Sequence, residues 1–142
     1  DATERATLLK KGWVEVCSAA GGAAQFCYWN GDINALAPTA ADYTGGPFLL
    51  RGLPLPTSHP TLPVYRCLSN QTRHFISSDP ACRGLGKAET LLGYTSLQRD
   101  GDTPRSLRLC RTTSSRDWPN GRLYYSLDAK CDQIAEHLGF VH

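Results

Sequence analysis

The chain has 142 residues, of which 41% are hydrophobic and 20% are charged, and its formal net charge is +2 at pH 7. This composition is typical of one globular domain with its own core and excludes a disordered or collagen-like chain. The near balance of 15 basic and 13 acidic residues leaves little net charge for contacting phosphates, so we expect no nucleic-acid partner. No apolar run reaches the ~20 residues of a transmembrane helix, so no membrane span is predicted.

The chain begins with a predicted helix. Asp1 and Glu4 have the spacing of a capping box, and Gly12 follows the helical stretch, where a C-cap glycine is expected. Trp13 and Val14 would then enter a strand. We interpret the abrupt Asp-Ala-Thr-Glu start as a processed or excised terminus, as in a domain of a longer protein.

The following segment is a divergent one. Residues 25–29 have the composition of a strand, whereas the stretch 30–63 is rich in Pro and Gly and shows no regular periodicity. Its last part, 50–63, carries Arg51 and is predicted to be an exposed loop.

Two later segments share one order of features. The first contains 64–67, 74–82 and 91–95, and the second contains 107–110, 123–131 and 137–141. In each segment, two short β-prone runs flank turn residues, which predicts a hairpin. The repetition indicates that the domain is built from degenerate copies of one unit.

A short helix is predicted after each hairpin. Asp79 and Pro80 stand where an N-cap and a first helical residue are expected. In the last unit, apolar residues recur at three- and four-residue steps, which predicts an amphipathic helix over 131–138. Gly93 and Gly139 would be the C-caps of these helices. The aromatic residues that follow the three C-cap glycines are predicted to be equivalent core anchors: Trp13, Tyr94 and Phe140.

The predicted fold class is therefore α+β. It is a single domain, 1–142, made of pseudo-threefold degenerate repeats of a β-hairpin plus a short helix, and it is disulfide-stapled. The first unit covers 13–62 and is divergent, and the second covers 63–105. The third unit covers 106–142 and is completed by residues 1–12. The alternative is a β-trefoil-like barrel in which the helices are only turns.

The chain has six cysteines: Cys17, Cys27, Cys67, Cys82, Cys110 and Cys131. An even number is typical of disulfides in an oxidising compartment, so a secreted, extracellular or periplasmic location is predicted. Zinc ligands usually come as Cys-x-x-Cys pairs, which are missing from this sequence, so no metal site is predicted. Six cysteines allow 15 pairings. The repeat favours Cys67 with Cys82, Cys110 with Cys131, and Cys17 with Cys27.

The motif Tyr65-Arg66-Cys67, followed by His74-Phe75, Ser78-Asp79-Pro80-Ala81-Cys82 and Leu92-Gly93-Tyr94, resembles a known family. This family consists of uncharacterised repeats in secreted bacterial and some fungal proteins, often appended to hydrolases or other extracellular domains. The similarity covers 62–96 and, less closely, 105–142, where Tyr124 replaces the histidine at 74. No activity is established for the family, so the resemblance implies compartment and repeat architecture only.

We find no recognisable catalytic motif. None of the histidines, His59, His74, His137 and His142, forms a pair with metal-binding spacing, and no serine lies in a Gly-x-Ser-x-Gly context. The last of them is predicted to be a mobile terminal residue. We therefore expect no enzyme activity and no cofactor. A small secreted hydrolase is an alternative, which would require His74 or His59 to meet a serine or carboxylate in a cleft.

Aromatic residues outnumber the three core anchors. The surplus comprises Tyr28, Trp29, Tyr43, Trp118, Tyr124 and Tyr125. Aromatic faces beside carboxamide and carboxylate groups are typical of carbohydrate sites. We therefore predict an extracellular binding or accessory module that binds a glycan through Trp29, Asn30, Asp32, Asp117, Trp118 and Asn120. A protein-binding inhibitor or toxin module, in which the loop 50–63 enters a partner's cleft, is the alternative.

Overall fold

The computed structural model describes residues 2–16, 48–56, 58–69, 74–111, 113, 114, 116, 123–127 and 133–142. These residues are mostly β-strand, with one short α-helix. The elements are α1 (Ala2–Lys10), β1 (Val14–Val16), β2 (Phe48–Leu50), β3 (Thr61–Ser69), β4 (His74–Ser77), β5 (Gly86–Ser96), β6 (Arg105–Arg111), β7 (Leu123–Leu127) and β8 (Gln133–Val141). Among these elements, no helix has the length and apolarity needed to cross a bilayer.

Helix α1 ends at the predicted glycine. Gly12 has a φ of +93°, which is costly for residues with a Cβ. Its N–H donates to the Leu9 carbonyl at 3.1 Å, and the Trp13 N–H donates to the Leu8 carbonyl at 3.1 Å. This is the Schellman pattern, which satisfies the last carbonyls of the helix and turns the chain into β1. Asp1, the first residue of the predicted capping box, lies outside the described residues.

The strands pair in an antiparallel manner. Six of them form a sheet in the order β4-β3-β5-β8-β6-β7, and β1 pairs with β2. The two halves of the sheet are joined through the pairing of Ser96 in β5 with Phe140 in β8. The outermost strands, β4 and β7, also contact each other, so the sheet curves round towards closure.

The two halves of the sheet contain the same irregularities. In β5, Leu92 is an extra residue opposite β3, and in β8, Leu138 is an extra residue opposite β6. Each of these two strands has a second extra residue, at the same distance before the first: Glu89 in β5 and Ala135 in β8. Each bulge interrupts the two-residue alternation of side chains and bends the strand.

The helix predicted over 131–138 is wrong, because residues 133–141 form strand β8. Its inward-facing residues are Ala135, which packs against the core, and Leu138 and Val141, which are buried. They stand three residues apart because the bulges add residues to a strand whose regular period is two. A doubly bulged strand therefore reproduces the apolar spacing of a helix. Gly139, predicted as a C-cap, has its positive φ of +99° inside this strand.

The helix predicted after Asp79 is also wrong, since only a 3₁₀ turn, Cys82–Gly84, forms there. Asp79 does cap the turn: its carboxylate accepts the Ala81 N–H at 2.9 Å and the Arg83 N–H at 3.1 Å. Cys82 and Arg83, however, have φ values of 53° and 58°. Residues with left-handed backbone angles end a right-handed helix, so no longer helix forms here. Strand β5 then begins at Gly86, and Gly93, a predicted C-cap, lies in its interior.

The predicted disulfide between Cys67 and Cys82 is confirmed, with Cα atoms 5.9 Å apart. It joins β3 to the turn before β5. Cys110 is disulfide-bonded as well, to a cysteine beyond the described part of the chain. The predicted pair of Cys17 with Cys27, and the position of Cys131, also lie outside the described residues.

The core is formed mainly by aliphatic residues of the strands. Its largest buried side chain is Tyr125, whose ring packs edge to face against Phe48 at 5.4 Å. Tyr125 is one of the aromatic residues that outnumber the three predicted anchors, and its ring packs in the core. Conversely, the predicted anchors Trp13, Tyr94 and Phe140 are only partly buried.

Candidate functional site

The six residues predicted to bind a glycan all lie outside the described residues: Trp29, Asn30, Asp32, Asp117, Trp118 and Asn120. The other surplus aromatic residues Tyr28 and Tyr43 lie outside them too, as does the side chain of Tyr124. A candidate site in the described structure must therefore come from other residues.

Three strand ends meet in a closed ring of backbone hydrogen bonds. Arg51 and Tyr94 exchange two N–H···O bonds, at 2.9 and 2.8 Å. Ser96 pairs with Phe140. His142 and Leu49 exchange two further bonds, at 3.2 and 3.1 Å, which close the ring. Segments that are distant in the sequence are therefore fixed against one another.

A groove of about 420 Å³ opens beside the Leu49 and His142 edge of this ring. Seven residues line it: Arg5, Glu15, Phe48, Leu49, Pro104, Arg105 and His142. They come from α1, β1, β2, the first residue of β6 and the residue before it, and the residue after β8. No local sequence pattern relates these segments, which is why sequence reasoning missed the groove.

The groove combines an apolar base with fixed polar groups. Phe48 and Leu49 are 2% and 4% exposed, so they belong to both the core and the groove. Arg5 forms an ion pair with Glu15, whose side chain is 10% exposed. Arg105 donates a hydrogen bond to the backbone oxygen of His142. These contacts orient both guanidinium groups before any ligand arrives.

His142, which is predicted to be a mobile terminal residue, makes three contacts through its side chain. Its Nδ1 lies 2.8 Å from the carbonyl oxygen of Asp102, so Nδ1 carries the proton and donates. Its Nε2 lies 3.6 Å from a carboxylate oxygen of Glu4. The imidazole also packs edge to face on Trp13, with ring centres 6.1 Å apart. These contacts place the imidazole between Asp102, Glu4 and Trp13.

Asp100 shapes the wall of the groove that carries Pro104. One carboxylate oxygen accepts the Asp102 N–H at 2.8 Å, the Thr103 N–H at 2.8 Å and the Thr103 hydroxyl at 2.9 Å. Partial burial by itself would raise the pKa of Asp100, but these hydrogen bonds and the Arg51 charge outweigh it and lower the pKa. The ionised carboxylate of Asp100 therefore stabilises the turn in which the Asp102 carbonyl contacts the His142 imidazole.

Arg51 points inward, although the loop 50–63 was predicted to present it to a partner. Its guanidinium carbon lies 4.6 Å from the centre of the Trp13 ring. Its Nε donates to the Ser96 hydroxyl at 3.1 Å, and its side chain, 12% exposed, forms an ion pair with Asp100 at 3.4 Å. Arg51 therefore supports the ring and the groove wall. Leu53 in this loop is exposed, at 79%.

The described residues offer little for catalysis. His59 Nδ1 lies 3.1 Å from the Ser58 hydroxyl, but both residues are exposed and consecutive in a loop, so this pair has no cleft around it. In the described part of the chain, no group of three or more His, Cys, Asp or Glu residues is placed to hold a metal ion. The side chain of His74 lies outside this part.

No protein-family model, curated protein or solved structure matches this chain.

Proposed function

We propose that the chain is an extracellular binding module whose groove holds a saccharide unit. The observation that carries the proposal is the pairing of an apolar base at Phe48 and Leu49 with oriented polar groups at Arg5, Glu15 and Arg105. The groove volume of about 420 Å³ falls within the range of small-ligand sites, about 300–1,000 Å³.

A saccharide fits this chemistry because it presents apolar C–H faces together with many hydroxyl groups. A guanidinium can donate up to five hydrogen bonds, and a carboxylate only accepts. Hydroxyl groups can use both kinds of partner. Because the ion pair and the carbonyl contact already hold these side chains in place, binding would cost little rotamer entropy. The disulfides at Cys67–Cys82 and Cys110 are compatible with an extracellular location.

We also infer that the single domain consists of three degenerate units around a pseudo-threefold axis, and that these units belong to the secreted repeat family which the motifs resemble. The ring of three strand ends and the matching bulges in β5 and β8 support this inference. Because β5 and β8 replace the predicted short helices, the β-trefoil-like alternative describes such units better than a hairpin plus helix.

The residues first predicted to bind glycan form a second part of the proposal, a stacking site at Trp29 and Trp118. The two sites are separable by mutation. A variant of both tryptophans to Ala would test the stacking site, and Glu15→Gln with Arg105→Gln would test the groove. Lys87→Gln, an exposed residue of β5 that does not line the groove, is the matched control.

The experiment is a glycan-array and polysaccharide-binding screen on the oxidised chain, followed by NMR mapping of any ligand found. Chemical shift changes at Leu49, Arg105 and His142, together with weaker binding in the groove variant but not in Lys87→Gln, would support the groove. Binding lost only in the tryptophan variant would assign it to the stacking site instead. A folded chain that binds no saccharide would contradict the proposal.

Protein recognition is the second candidate function. The observation in its favour is the exposed loop after β2, in which Leu53 is 79% exposed and stands between Gly52 and Pro54. Covering this side chain with a partner would be favourable, because burial of apolar surface is the main driving force of most protein association. A Leu53→Ser variant that loses a protein partner while keeping saccharide binding would favour this function for the loop.

A further inference from the structure

The loop after β2 contains an alternation of leucine and proline. Residues 53–56 are Leu-Pro-Leu-Pro, and we call 52–56 the proline segment. A proline ring fixes its own φ at about −65°, and a proline also disfavours helical backbone angles in the residue before it. Because each leucine of the segment precedes a proline, the sequence favours an extended, polyproline II backbone. The segment belongs to none of the described helices and strands.

The domain holds the loop on both sides of this segment. Before it, Arg51 exchanges two backbone hydrogen bonds with Tyr94, at 2.9 and 2.8 Å. After it, the Pro60 carbonyl accepts the Leu97 N–H at 3.0 Å. The prolines restrict the backbone between these two points. A partner would therefore lose little binding free energy to ordering the segment.

The exposure of the segment follows the period of a polyproline II helix. Such a helix has three residues per turn, so Leu53 and Pro56 share one edge, while Pro54 and Leu55 lie on the other two. Leu53, Pro54 and Pro56 are exposed, Leu53 at 79%, whereas Leu55 is partly buried. The Leu55 edge therefore faces the domain, and two apolar edges face solvent.

The segment and the residues that follow it carry no charge. Residues 52–58 are Gly-Leu-Pro-Leu-Pro-Thr-Ser, and the Arg51 side chain packs on Trp13 and pairs with Asp100. A partner would therefore be held by apolar contacts. Grooves lined with aromatic side chains bind polyproline II segments in this way, since the preformed helix has little conformational entropy to lose.

From these observations we propose that the proline segment is a ligand for an aromatic-lined groove on a partner protein, with Leu53 as its main contact. The groove receives the Leu53 and Pro56 edge together with Pro54, while Leu55 stays against the domain. This inference rests on protein recognition, the second candidate function, and names the kind of partner. It does not depend on the saccharide groove, because the segment contributes none of the seven lining residues.

The probes are an isolated WW domain and an isolated EVH1 domain, which bind polyproline II segments in aromatic-lined grooves. Each is titrated into the isotope-labelled, oxidised chain and followed by NMR. We expect saturable shift changes at Leu53 with at least one probe. Leu53→Ala should weaken this binding at least about fivefold, whereas Leu91→Ala, which shortens an exposed leucine of β5, should leave it unchanged. Raising NaCl from about 50 to about 500 mM should change the affinity less than about twofold, since no charge takes part.

Pro54→Ala tests the backbone conformation of the segment. The substitution frees φ at this residue and removes the restriction on Leu53, so binding should weaken about two- to fivefold. Pro80→Ala, which replaces an exposed proline in the turn before β5, is the matched control and should bind as the wild type does. Equal binding by both proline variants would contradict the polyproline II conformation.

A folded chain that binds neither probe would overturn the proposal, as would binding that survives Leu53→Ala or that high salt abolishes. Chymotrypsin, whose cleft accepts an apolar side chain, is the further arm. Inhibition of chymotrypsin that is lost in Leu53→Ala, without binding of either probe, would show that the loop recognises a peptidase. In that case protein recognition by the loop holds and this inference fails. Saccharide binding is measured separately by the glycan screen and stands or falls independently.

Discussion

The carboxylate of Glu136 accepts a hydrogen bond from the hydroxyl of Ser77 at 2.8 Å. Arg83 Nη1 lies 3.7 Å from the oxygen that accepts this bond, Oε2, and the other oxygen, Oε1, accepts the Ser78 N–H at 2.8 Å. Glu136 belongs to β8, whereas its partners belong to β4 and the turn after it. This carboxylate therefore joins the two halves of the sheet, whose described strands pair through Ser96 and Phe140.

Removing the Glu136 side chain should destabilise the domain strongly. Ser77 is fully buried, so Glu136→Ala leaves a buried hydroxyl without its acceptor and Arg83 without its counter-ion. We expect a loss of about 3 kcal/mol in the free energy of unfolding, measured by urea denaturation. The Glu136→Gln variant keeps one acceptor oxygen, so its free energy of unfolding should fall by less.

Glu89→Ala is the matched control for that substitution. Glu89 forms an ion pair with Arg66 at 3.2 Å but is 36% exposed, so its loss should cost no more than about 1 kcal/mol. Equal losses for Glu136→Ala and Glu89→Ala would contradict the view that Glu136 joins the two halves of the sheet.

The stability supplied by Asp100 should depend on pH. Because the pKa of this carboxyl is lowered in the folded chain, its contribution is fully present above the unfolded pKa of about 3.9 and is lost as the pH falls through the lower folded pKa. The difference in unfolding free energy between the wild type and Asp100→Asn should therefore be largest near neutral pH and shrink below about pH 4. Asp102→Asn, which removes the exposed carboxylate two residues away, controls for the change in net charge. A difference that stays constant down to pH 2 would argue against this account.

Gly139 should tolerate no side chain. Its φ is +99°, and a Cβ would lie 2.6 Å from the Ser96 carbonyl oxygen and 2.6 Å from Thr95 Oγ1. Gly139→Ala combines backbone strain with a clash at the junction of β5 and β8, so we expect a loss of about 2–3 kcal/mol or failure to fold. Thermal unfolding measures the effect. Gly101→Ala, where a Cβ meets nothing within 4 Å, should change stability by less than about 1 kcal/mol. Similar melting temperatures for both variants would disprove the close approach.

Disulfide mapping should find Cys67 linked to Cys82, and Cys110 linked to Cys131. The first link is present in the structure, and the second follows from the equivalent order of features in the two segments. Peptide mass spectrometry without reduction measures both. Replacing Cys67 and Cys82 together by Ser should cost about 3 kcal/mol, because the bond closes a loop with a sequence separation of 15. A Cys17–Cys110 or Cys27–Cys110 peptide would show that the repeat assigns the second pair wrongly.

Local signals in the sequence were reliable where a single short segment decides the conformation. Gly12 ends α1 through its own left-handed φ, and Asp79 caps the following turn through its own carboxylate. The cysteine spacing within the repeat identified the Cys67–Cys82 bond. Each of these features depends on groups within a few residues of each other or on one repeated motif.

The sequence by itself therefore determined the helix end at Gly12, the cap at Asp79 and one disulfide. Only the tertiary structure decided that residues 133–141 form a strand, because the spacing of Ala135 and Leu138 also fits a helix face. Their positions as extra residues opposite β6 depend on which strand β8 pairs with. The groove was likewise decided only by the fold, since Arg5, Glu15, Leu49, Arg105 and His142 are brought together by hydrogen bonds between strand ends. Pairing between distant segments fixes such positions, and a local pattern carries no information about which segments will pair.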